Sequence, residues 1–287
     1  MMDQAQNLRI RLQQLGKPAA KTLAVVSGKG GVGKSNFSLN FSIALSKQGH
    51  SVLLFDMDIG MGNIDILMGR SSRYSIVDFF ENRMDLGDIV SEGPEGISVI
   101  AGGSGLATLF EMEESRFSSF LDQLDTFIHQ YEYIIFDMGA GITRESSQFI
   151  LCVDELIVIT TPEPPAIMDA YSVMKYLTSV KKDMPFSLVC NRVQSEKEGK
   201  ETIQRLSNAL QKFLQKEIFP LGFLPDDRSV TAAVTRQIPF SVYKPESAIS
   251  KAINEVALRF EKGQKEQNLT FSKSNFLGRL KSYILGR

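Results

Sequence analysis

The chain has 287 residues, 43% of them hydrophobic, and a formal net charge of −1. This length is sufficient for one large core, and a nearly neutral body is not built to wrap nucleic acid. No apolar run approaches the ~20 residues of a membrane span, and the polar N-terminus lacks the pattern of a secretory signal. We therefore expect a cytoplasmic protein with no specific nucleic-acid partner.

Short apolar runs rich in β-branched residues recur along the chain, each bounded by Gly, Pro or Asp, as buried strands are. They occupy residues 22–27, 51–56, 97–102, 133–137, 155–160, 186–191 and 218–224. Amphipathic stretches such as 35–49 and 166–182 separate most of these runs. This alternation predicts an α/β fold with a mostly parallel sheet covered by helices on both faces.

We expect one domain over residues 21–262, flanked by an N-terminal segment (1–20) and a C-terminal segment (263–287). In the N-terminal segment, Asp3 could cap a short helix. The apolar side of this helix would consist of Ala5, Leu8, Leu12 and Leu15. Because so short a helix is unstable alone, the segment is typical of a partner-binding element, and a disordered leader is the alternative.

The first predicted strand is followed by a glycine-rich loop, GKGGVGKS at residues 28–35, which opens a helix. It fits the P-loop pattern G-x-x-x-x-G-K-[ST] in the strand-to-helix context that this motif requires. The glycines allow backbone N–H groups to point at phosphate oxygens, while Lys34 reaches the β- and γ-phosphates and Ser35 binds Mg²⁺. The predicted site for ATP and Mg²⁺ comprises Gly28, Lys29, Gly30, Gly31, Val32, Gly33, Lys34, Ser35 and Asn36.

An ordinary P-loop does not need the first lysine of this loop, Lys29. Residues 29–35, KGGVGKS, resemble the deviant Walker A motif K-G-G-x-G-K-[ST] of the MinD/ParA ATPases. The resemblance implies that Lys29 reaches across a nucleotide-sandwich dimer to the phosphates bound by the other subunit. A cation supplied in trans would make ATP-dependent dimerisation and catalysis one event.

Two further strand ends carry aspartates. LLFDMDIGMGNIDILMG at 53–69 closely resembles the MinD stretch with the switch I aspartate, and on that match Asp58 orients the attacking water while Asp56 lies near Mg²⁺. YIIFDMGAG at 133–141 has a Walker B shape, in which Asp137 holds Mg²⁺ through water. Ligands collect at the C-terminal ends of parallel strands, so these carboxylates should meet the P-loop. The predicted catalytic residues are Lys29, Lys34 and Asp58, and the predicted metal residues are Ser35, Asp56 and Asp137.

Two later strand ends extend the resemblance to MinD/ParA proteins, which covers about residues 22–260. Asn191 and Arg192 close one strand, and the last strand is followed by Pro225, Asp226 and Asp227. The resemblance implies that these five residues hold the adenine.

The C-terminal stretch SNFLGRLKSYILGR at 274–287 predicts an amphipathic helix. Its apolar face consists of Phe276, Leu277, Leu280, Tyr283 and Ile284. Basic residues lie off that face, and no acidic residue follows Glu266. This pattern is typical of a helix in an anionic membrane surface, so we expect peripheral association with the inner face of the cell membrane. A helix docked on its own core is the alternative, and a tail that docks only in the ATP-free monomer would combine both.

The start of the chain, DQAQNLR at residues 3–9, resembles the N-terminal activator segment of the FlhG (YlxH) family. These are MinD-type ATPases that control flagellar number and placement. The resemblance implies that this segment stimulates a GTPase of the FlhF type, with flagellar C-ring proteins as further partners. The residues predicted to contact the GTPase are Asp3, Gln4, Ala5, Leu8 and Arg9.

Other classes share parts of these features. A division-site MinD ATPase would have the same core and tail but little reason for the N-terminal segment, and a ParA-type DNA-partition ATPase would show a basic face. A metal-carrier ATPase such as nitrogenase iron protein needs exposed cluster cysteines. Cys152 and Cys190 instead lie in apolar runs without metal spacing, and we expect both to be buried. The intact P-loop and the three aspartates argue against a non-hydrolysing scaffold.

Overall fold

A computed structural model describes residues 19–58, 63–82, 84–102, 114–267 and 276–285. The predicted partner-binding residues lie outside the described residues; they are Asp3, Gln4, Ala5, Leu8 and Arg9. Strands of one sheet are β1 (Lys21–Val26), β2 (Val52–Met57), β3 (Val90–Glu92), β4 (Ser98–Ile100), β5 (Tyr133–Met138), β6 (Glu155–Thr160), β7 (Phe186–Val193) and β8 (Phe219–Pro225).

The strands are ordered β3-β4-β2-β5-β1-β6-β7-β8 in space. Every pairing is parallel except that of β3 with β4, which is antiparallel. The predicted mostly parallel sheet is therefore confirmed. Strand β3 was not among the predicted strands, because its three residues, VSE, are partly exposed and do not form an apolar run.

The helices are α1 (Lys34–Lys47), α2 (Asn63–Met68), α3 (Ile76–Asn82), α4 (Glu114–Phe127), α5 (Arg144–Ile150), α6 (Pro164–Val180), α7 (Glu196–Leu214), α8 (Arg228–Thr235), α9 (Phe240–Tyr243), α10 (Ala248–Gln267) and α11 (Phe276–Leu285). Helix α10 runs through the predicted domain boundary at residue 262. The other predicted boundary also falls within packed structure, since Ala20 is buried and its N–H donates to the carbonyl of Ile128.

The core lies on both faces of the sheet, as the continuous apolar strands predict. Along β1, Leu23 and Val25 point into one cluster of buried side chains, whereas Ala24 and Val26 point into the other. Helices α1, α2, α8, α9 and α10 cover the first face, and α3, α4, α5, α7, α11 and most of α6 cover the second. No helix among the described residues is both long and apolar enough to cross a membrane.

The register of the central strands places the predicted site. Asp137 of β5 pairs with Val25 of β1 on one side and with Asp56 of β2 on the other. The parallel strands therefore deliver the P-loop and two aspartates to the same carboxyl edge of the sheet, which is where ligands bind in folds of this kind.

Candidate nucleotide-binding site

The loop between β1 and α1 has the backbone geometry of a phosphate cradle. Gly31 and Gly33 have φ angles of 79° and 93°, a region that favours glycine, and Gly33 is the N-cap of α1. A Cβ on Gly33 would lie 2.4 Å from Nδ2 of Asn191. Gly28 has even less space, since a Cβ there would lie 2.3 Å from the carbonyl carbon of Asp169 on α6. Any other side chain at these positions would displace the loop.

The two lysines of the loop lie in different surroundings. Lys34 is 7% exposed, and its Nζ lies 3.7 Å from Oδ1 of Asp137. Lys29 is exposed at the rim of the site, where its Nζ lies 3.9 Å from Oε2 of Glu163, the N-cap of α6. So loose and exposed an ion pair contributes little stability and leaves Lys29 able to move. Lys34 thus lies buried beside Asp137, whereas Lys29 lies exposed at the rim of the site.

Asp56 and Asp137 form a buried acidic pair beside the P-loop, with side chains 1% and 0% exposed. Burial, with a smaller contribution from the neighbouring Asp137, raises the pKa of Asp56 to about 7, against the opposing hydrogen bonds from the backbone N–H groups of Asp58 and Ile64. Burial also raises the pKa of Asp137, although Lys34 and nearby hydroxyls oppose the shift. Two carboxyls held this way are poised for a cation that neutralises them.

The site fits Mg²⁺. Oδ2 of Asp137 is buried and has no hydrogen-bond partner among the described residues, so one carboxylate oxygen remains available. The Ser35 hydroxyl hydrogen-bonds to the same carboxyl. The described residues contain no cluster of three or more acidic, histidine or cysteine ligands that could hold a metal alone. One hydroxyl and one or two carboxylates match the way proteins bind Mg²⁺, which takes its other ligands from water and phosphate.

Asp58 directly follows β2 and lies close to the loop that follows β5. It is half-buried, and its Oδ2 accepts a hydrogen bond of 2.9 Å from Nδ2 of Asn63 at the start of α2. Gly139, after β5, approaches so closely that a Cβ there would lie 3.1 Å from Oδ1 of Asp58. The predicted water-orienting aspartate therefore lies between the start of α2 and the segment that follows β5.

A cleft of about 400 Å³ adjoins the P-loop, since Gly33 is among its lining residues. Its lining includes Asn36 and all five residues predicted to hold the adenine: Asn191, Arg192, Pro225, Asp226 and Asp227. The side-chain amide of Asn191 makes two hydrogen bonds within the protein. Its Nδ2 donates to the carbonyl of Val32 at 2.8 Å, and its Oδ1 accepts from the Arg192 N–H. Asn191 therefore ties the P-loop to the floor of the cleft.

Sequence reasoning missed other residues of this cleft. They include Glu163, Gln194, Val230, Thr231 and Phe240. The available signal for Glu163 was its position shortly after the apolar run of β6, which ends at Thr160 and to which no role was assigned. The remaining four come from short loops and helices whose approach to the P-loop no local pattern indicates.

Helix α11, the predicted membrane helix, is docked on the sheet face opposite α1. Phe276 and Leu280 are 1% and 0% exposed, and Leu277 is partly buried against the same cluster. The Phe276 ring lies 5.6 Å from that of Phe136 on β5 and 5.7 Å from that of Phe149 on α5. In this conformation Phe276 and Leu280 cannot contact a lipid surface, and the alternative of a helix docked on its own core is the one observed for the described side chains. The side chains of Tyr283 and Ile284 lie outside the described residues.

Polar contacts fix the position of the docked helix on the core. Arg279 donates from Nε to the carbonyl of Cys152 at 2.7 Å, and its Nη2 lies 2.5 Å from Oδ1 of Asp154. Lys181 donates to the neighbouring carbonyl of Leu151 at 3.1 Å. Two cations thus cap the C-terminal end of α5, a favourable place for positive charge. Helix α5 follows the Gly139–Gly141 loop, so the docked tail touches an element next to the nucleotide site.

The cysteines provide a test of the metal-carrier alternative. Cys152 and Cys190 are both 0% exposed and free of disulfides, as predicted. Burial raises the pKa of each thiol to about 12. Neither cysteine can present a thiolate to a cluster shared across a dimer face, which excludes that alternative for these two residues.

Comparisons with known proteins agree with this geometry. The CobQ/CobB/MinD/ParA nucleotide binding domain matches residues 23–240. The chain is 33% identical to the flagellum site-determining protein YlxH of Helicobacter pylori, over 84% of this chain and 82% of the relative. It is 29% identical to the antiactivator FleN of Pseudomonas aeruginosa, over 84% and 86%.

Solved structures support the fold. The septum site-determining protein MinD of Pyrococcus horikoshii, complexed with Mg-ADP, superposes with a TM-score of 0.69 at 22% identity, over 86% of this chain and 98% of that one. MinD in the MinC:MinD complex of Aquifex aeolicus gives 0.67 at 25% identity, over 85% and 96%. With a domain match over most of its length and a flagellar relative above 30% identity, the chain belongs to the MinD/ParA nucleotide-binding family and, within it, to the FlhG (YlxH) group.

Proposed function

We propose that this protein is a Mg²⁺-dependent ATPase that dimerises around ATP, associates with the membrane and regulates flagellar number or placement. The observation that carries the proposal is the unequal placement of the two P-loop lysines. Lys34 is buried against Asp137 within the site, whereas Lys29 is exposed and held only by a 3.9 Å contact with Glu163. A lysine at the rim is free to reach a second subunit.

The residues divide the work of phosphoryl transfer among them. The loop N–H groups and Lys34 would bind the phosphates, and Asp58 would orient the attacking water. Ser35, Asp56 and Asp137 would hold Mg²⁺, which when bound neutralises charge on the β- and γ-phosphates. Lys29 of the second subunit would add the cation that the transferring phosphoryl group needs, so hydrolysis would require the dimer.

Replacing Lys29 tests this proposal. With ATP and Mg²⁺, the unmodified protein should elute as a dimer in size-exclusion chromatography and hydrolyse ATP slowly. Lys29→Ala should still bind nucleotide, because the cradle and Lys34 remain, but it should stay monomeric and lose hydrolysis at least about tenfold. Lys47→Ala is the matched control: Lys47 is also an exposed lysine in an ion pair, with Glu95 at 3.2 Å, but lies at the other end of α1. A dimeric and fully active Lys29→Ala protein would refute the trans role.

Membrane association would depend on release of α11 from the core. One short amphipathic helix binds a lipid surface weakly, and its basic residues add roughly 1 kcal/mol each near anionic lipid. A dimer carries two such helices, so the second binds at high effective concentration, and avidity rises about a hundredfold or more. Docking in the monomer and release in the dimer would make lipid binding follow ATP. The contacts of Phe276 with Phe136 and Phe149 support this, since β5 and α5 flank the loop that follows Asp137.

The N-terminal segment would carry the partner function, stimulation of a GTPase of the FlhF type, with flagellar C-ring proteins as additional partners. Support comes from the resemblance of residues 3–9 to the FlhG activator segment and from the flagellar relative. The structure refines where to cut, because Ala19 and Ala20 already pack on the core.

Deletion of residues 1–18 tests the partner function. It should leave ATP hydrolysis nearly unchanged, because the deleted residues precede the packed core, and should abolish stimulation of the GTPase in a single-turnover assay. Gln4→Ala in the full chain is the finer variant, since an amide could orient water at the γ-phosphate of the GTPase. Undiminished stimulation by the truncated protein would remove this part of the proposal.

A further inference from the structure

Ser38, in the second turn of α1, is a buried hydroxyl that the P-loop motif does not include. It is 0% exposed, and its Oγ lies 2.8 Å from Oδ1 of Asp137 and 3.1 Å from the carbonyl of Lys34. Serines inside helices usually bond back to the carbonyl four residues earlier. Here the shorter contact goes to a carboxyl 99 residues away on β5.

The two oxygens of Asp137 have different surroundings. Oδ1 accepts the Ser38 hydrogen bond and lies 3.7 Å from Nζ of Lys34, whereas Oδ2 is buried and has no partner among the described residues. Under the proposed function, Lys34 and Ser35 turn to the phosphates and the metal when the site fills. Ser38 has no such second role, so its bond is the one that can persist.

We infer that Ser38 is a positioning residue of the metal site, a role that deepens the proposed function and rests on it. Its hydroxyl holds Oδ1 of Asp137 and so fixes the carboxyl with Oδ2 left available to hydrated Mg²⁺. Outer partners that orient metal-binding groups typically affect metal affinity about 10- to 100-fold. The effect of Ser38 should therefore appear in Mg²⁺ dependence rather than in folding or in metal-free nucleotide binding.

A matched control lies one turn further along the same helix. Ser42 is also 0% exposed, and its Oγ donates to the carbonyl of Ser38 at 2.7 Å. Ser42→Ala thus removes a buried hydroxyl of α1 without touching Asp137. The experiment measures binding of a fluorescent ATP analogue to the full chain, first in EDTA and then across a Mg²⁺ titration, for the unmodified protein, Ser38→Ala and Ser42→Ala.

We expect the Mg²⁺ midpoint of Ser38→Ala to rise about tenfold while that of Ser42→Ala stays at the unmodified value, with equal binding by all three proteins in EDTA. The inference is overturned if Ser38→Ala keeps the unmodified midpoint, if both variants shift alike, or if Ser38→Ala already loses binding in EDTA. Failure of the unmodified protein to bind the analogue at all would instead contradict the proposed function, so the two failures are distinguishable.

Discussion

At the residue scale, Asp56 and Asp58 show how two carboxylates two positions apart take different roles. Asp56 is buried, with its pKa raised to about 7, and accepts hydrogen bonds from the backbone N–H groups of Asp58 and Ile64. Asp58 is half-buried and bonds to the side chain of Asn63. The first is suited to a cation in an enclosed place, whereas the second can reach a water molecule.

Replacing Asp58 should therefore separate binding from hydrolysis. Asp58→Ala should bind ATP as the unmodified protein does and remain an ATP-dependent dimer, because the cradle and the metal residues are intact. Its hydrolysis rate should fall about 10²-fold, since the attacking water loses its orienting group. Single-turnover hydrolysis measured beside nucleotide binding checks this. A variant that hydrolyses ATP at the normal rate would show that another residue orients the water.

At the element scale, α11 is a helix whose apolar face has two possible partners, the core and a lipid surface. The docked state buries Phe276 and Leu280 and adds the Arg279 contacts with Asp154 and Cys152. Arg279 is partly exposed, so its ion pair is screened, but the hydrogen bond to a buried carbonyl adds to it. Removing the Arg279 side chain should therefore shift α11 from the docked state toward the released state.

Two substitutions in α11 can separate the effect of docking on the core from the effect of contact with lipid. Arg279→Ala and Lys281→Ala each remove one positive charge, but Lys281 is exposed, whereas Arg279 is partly buried and bonds to Cys152 and Asp154. With ADP, Arg279→Ala should bind anionic vesicles roughly tenfold better than Lys281→Ala, because only the former weakens docking by about 1.4 kcal/mol.

Co-sedimentation with vesicles, in ADP and in ATP, measures this difference. With ATP, the unmodified protein, Arg279→Ala and Lys281→Ala should each bind vesicles better than the unmodified protein does with ADP. Phe276→Glu provides the negative control for the lipid contact and should bind under neither condition. Equal binding by the two alanine variants in ADP would mean that Arg279 does not hold the helix down.

At the scale of the whole molecule, a charged cluster joins α10 to the amino edge of the sheet. His50, just before β2, hydrogen-bonds through Nε2 to Glu261 of α10, and its Nδ1 lies 3.2 Å from Oε2 of Glu132, just before β5. Its ring also packs edge-on against Tyr133, at 5.1 Å between centroids. Burial alone would lower the pKa of His50, but hydrogen bonds to the two glutamates raise it above 6.5. The protonated ring thus ties together elements from three parts of the chain.

The stability of the fold should depend on pH through this cluster. Because the pKa of His50 is higher in the folded state than its ordinary value of 6.5, its contribution is fully present below that pH and is lost as pH rises through the folded pKa. His50→Gln should therefore lower Tm more at about pH 6 than at about pH 9. Thermal unfolding at both values checks this, with His129→Gln, the only other histidine, as the control. A Tm difference that does not vary with pH would show that His50 acts through packing alone.

The sequence by itself determined the parts of this protein that depend on local pattern. A loop that cradles phosphate needs glycine at special φ angles and a helix start, so residues 28–35 identify it wherever they occur. Apolar runs ending in Asp56 and Asp137 predicted buried strands, and parallel strands necessarily bring such ends to one edge. The resemblance to MinD/ParA proteins, not local pattern, singled out the residues at the ends of β7 and β8, which line one cleft.

Tertiary structure decided the features that depend on which surfaces meet. An amphipathic pattern has the same periodicity whether its apolar face covers a membrane or a groove in the core, so only the packing of Phe276 between Phe136 and Phe149 shows where α11 lies. The contact of Ser38 with Asp137 and the charged cluster around His50 join residues far apart in the chain. No periodicity or motif records such pairings, because they arise when the sheet aligns its strands and the helices close over it.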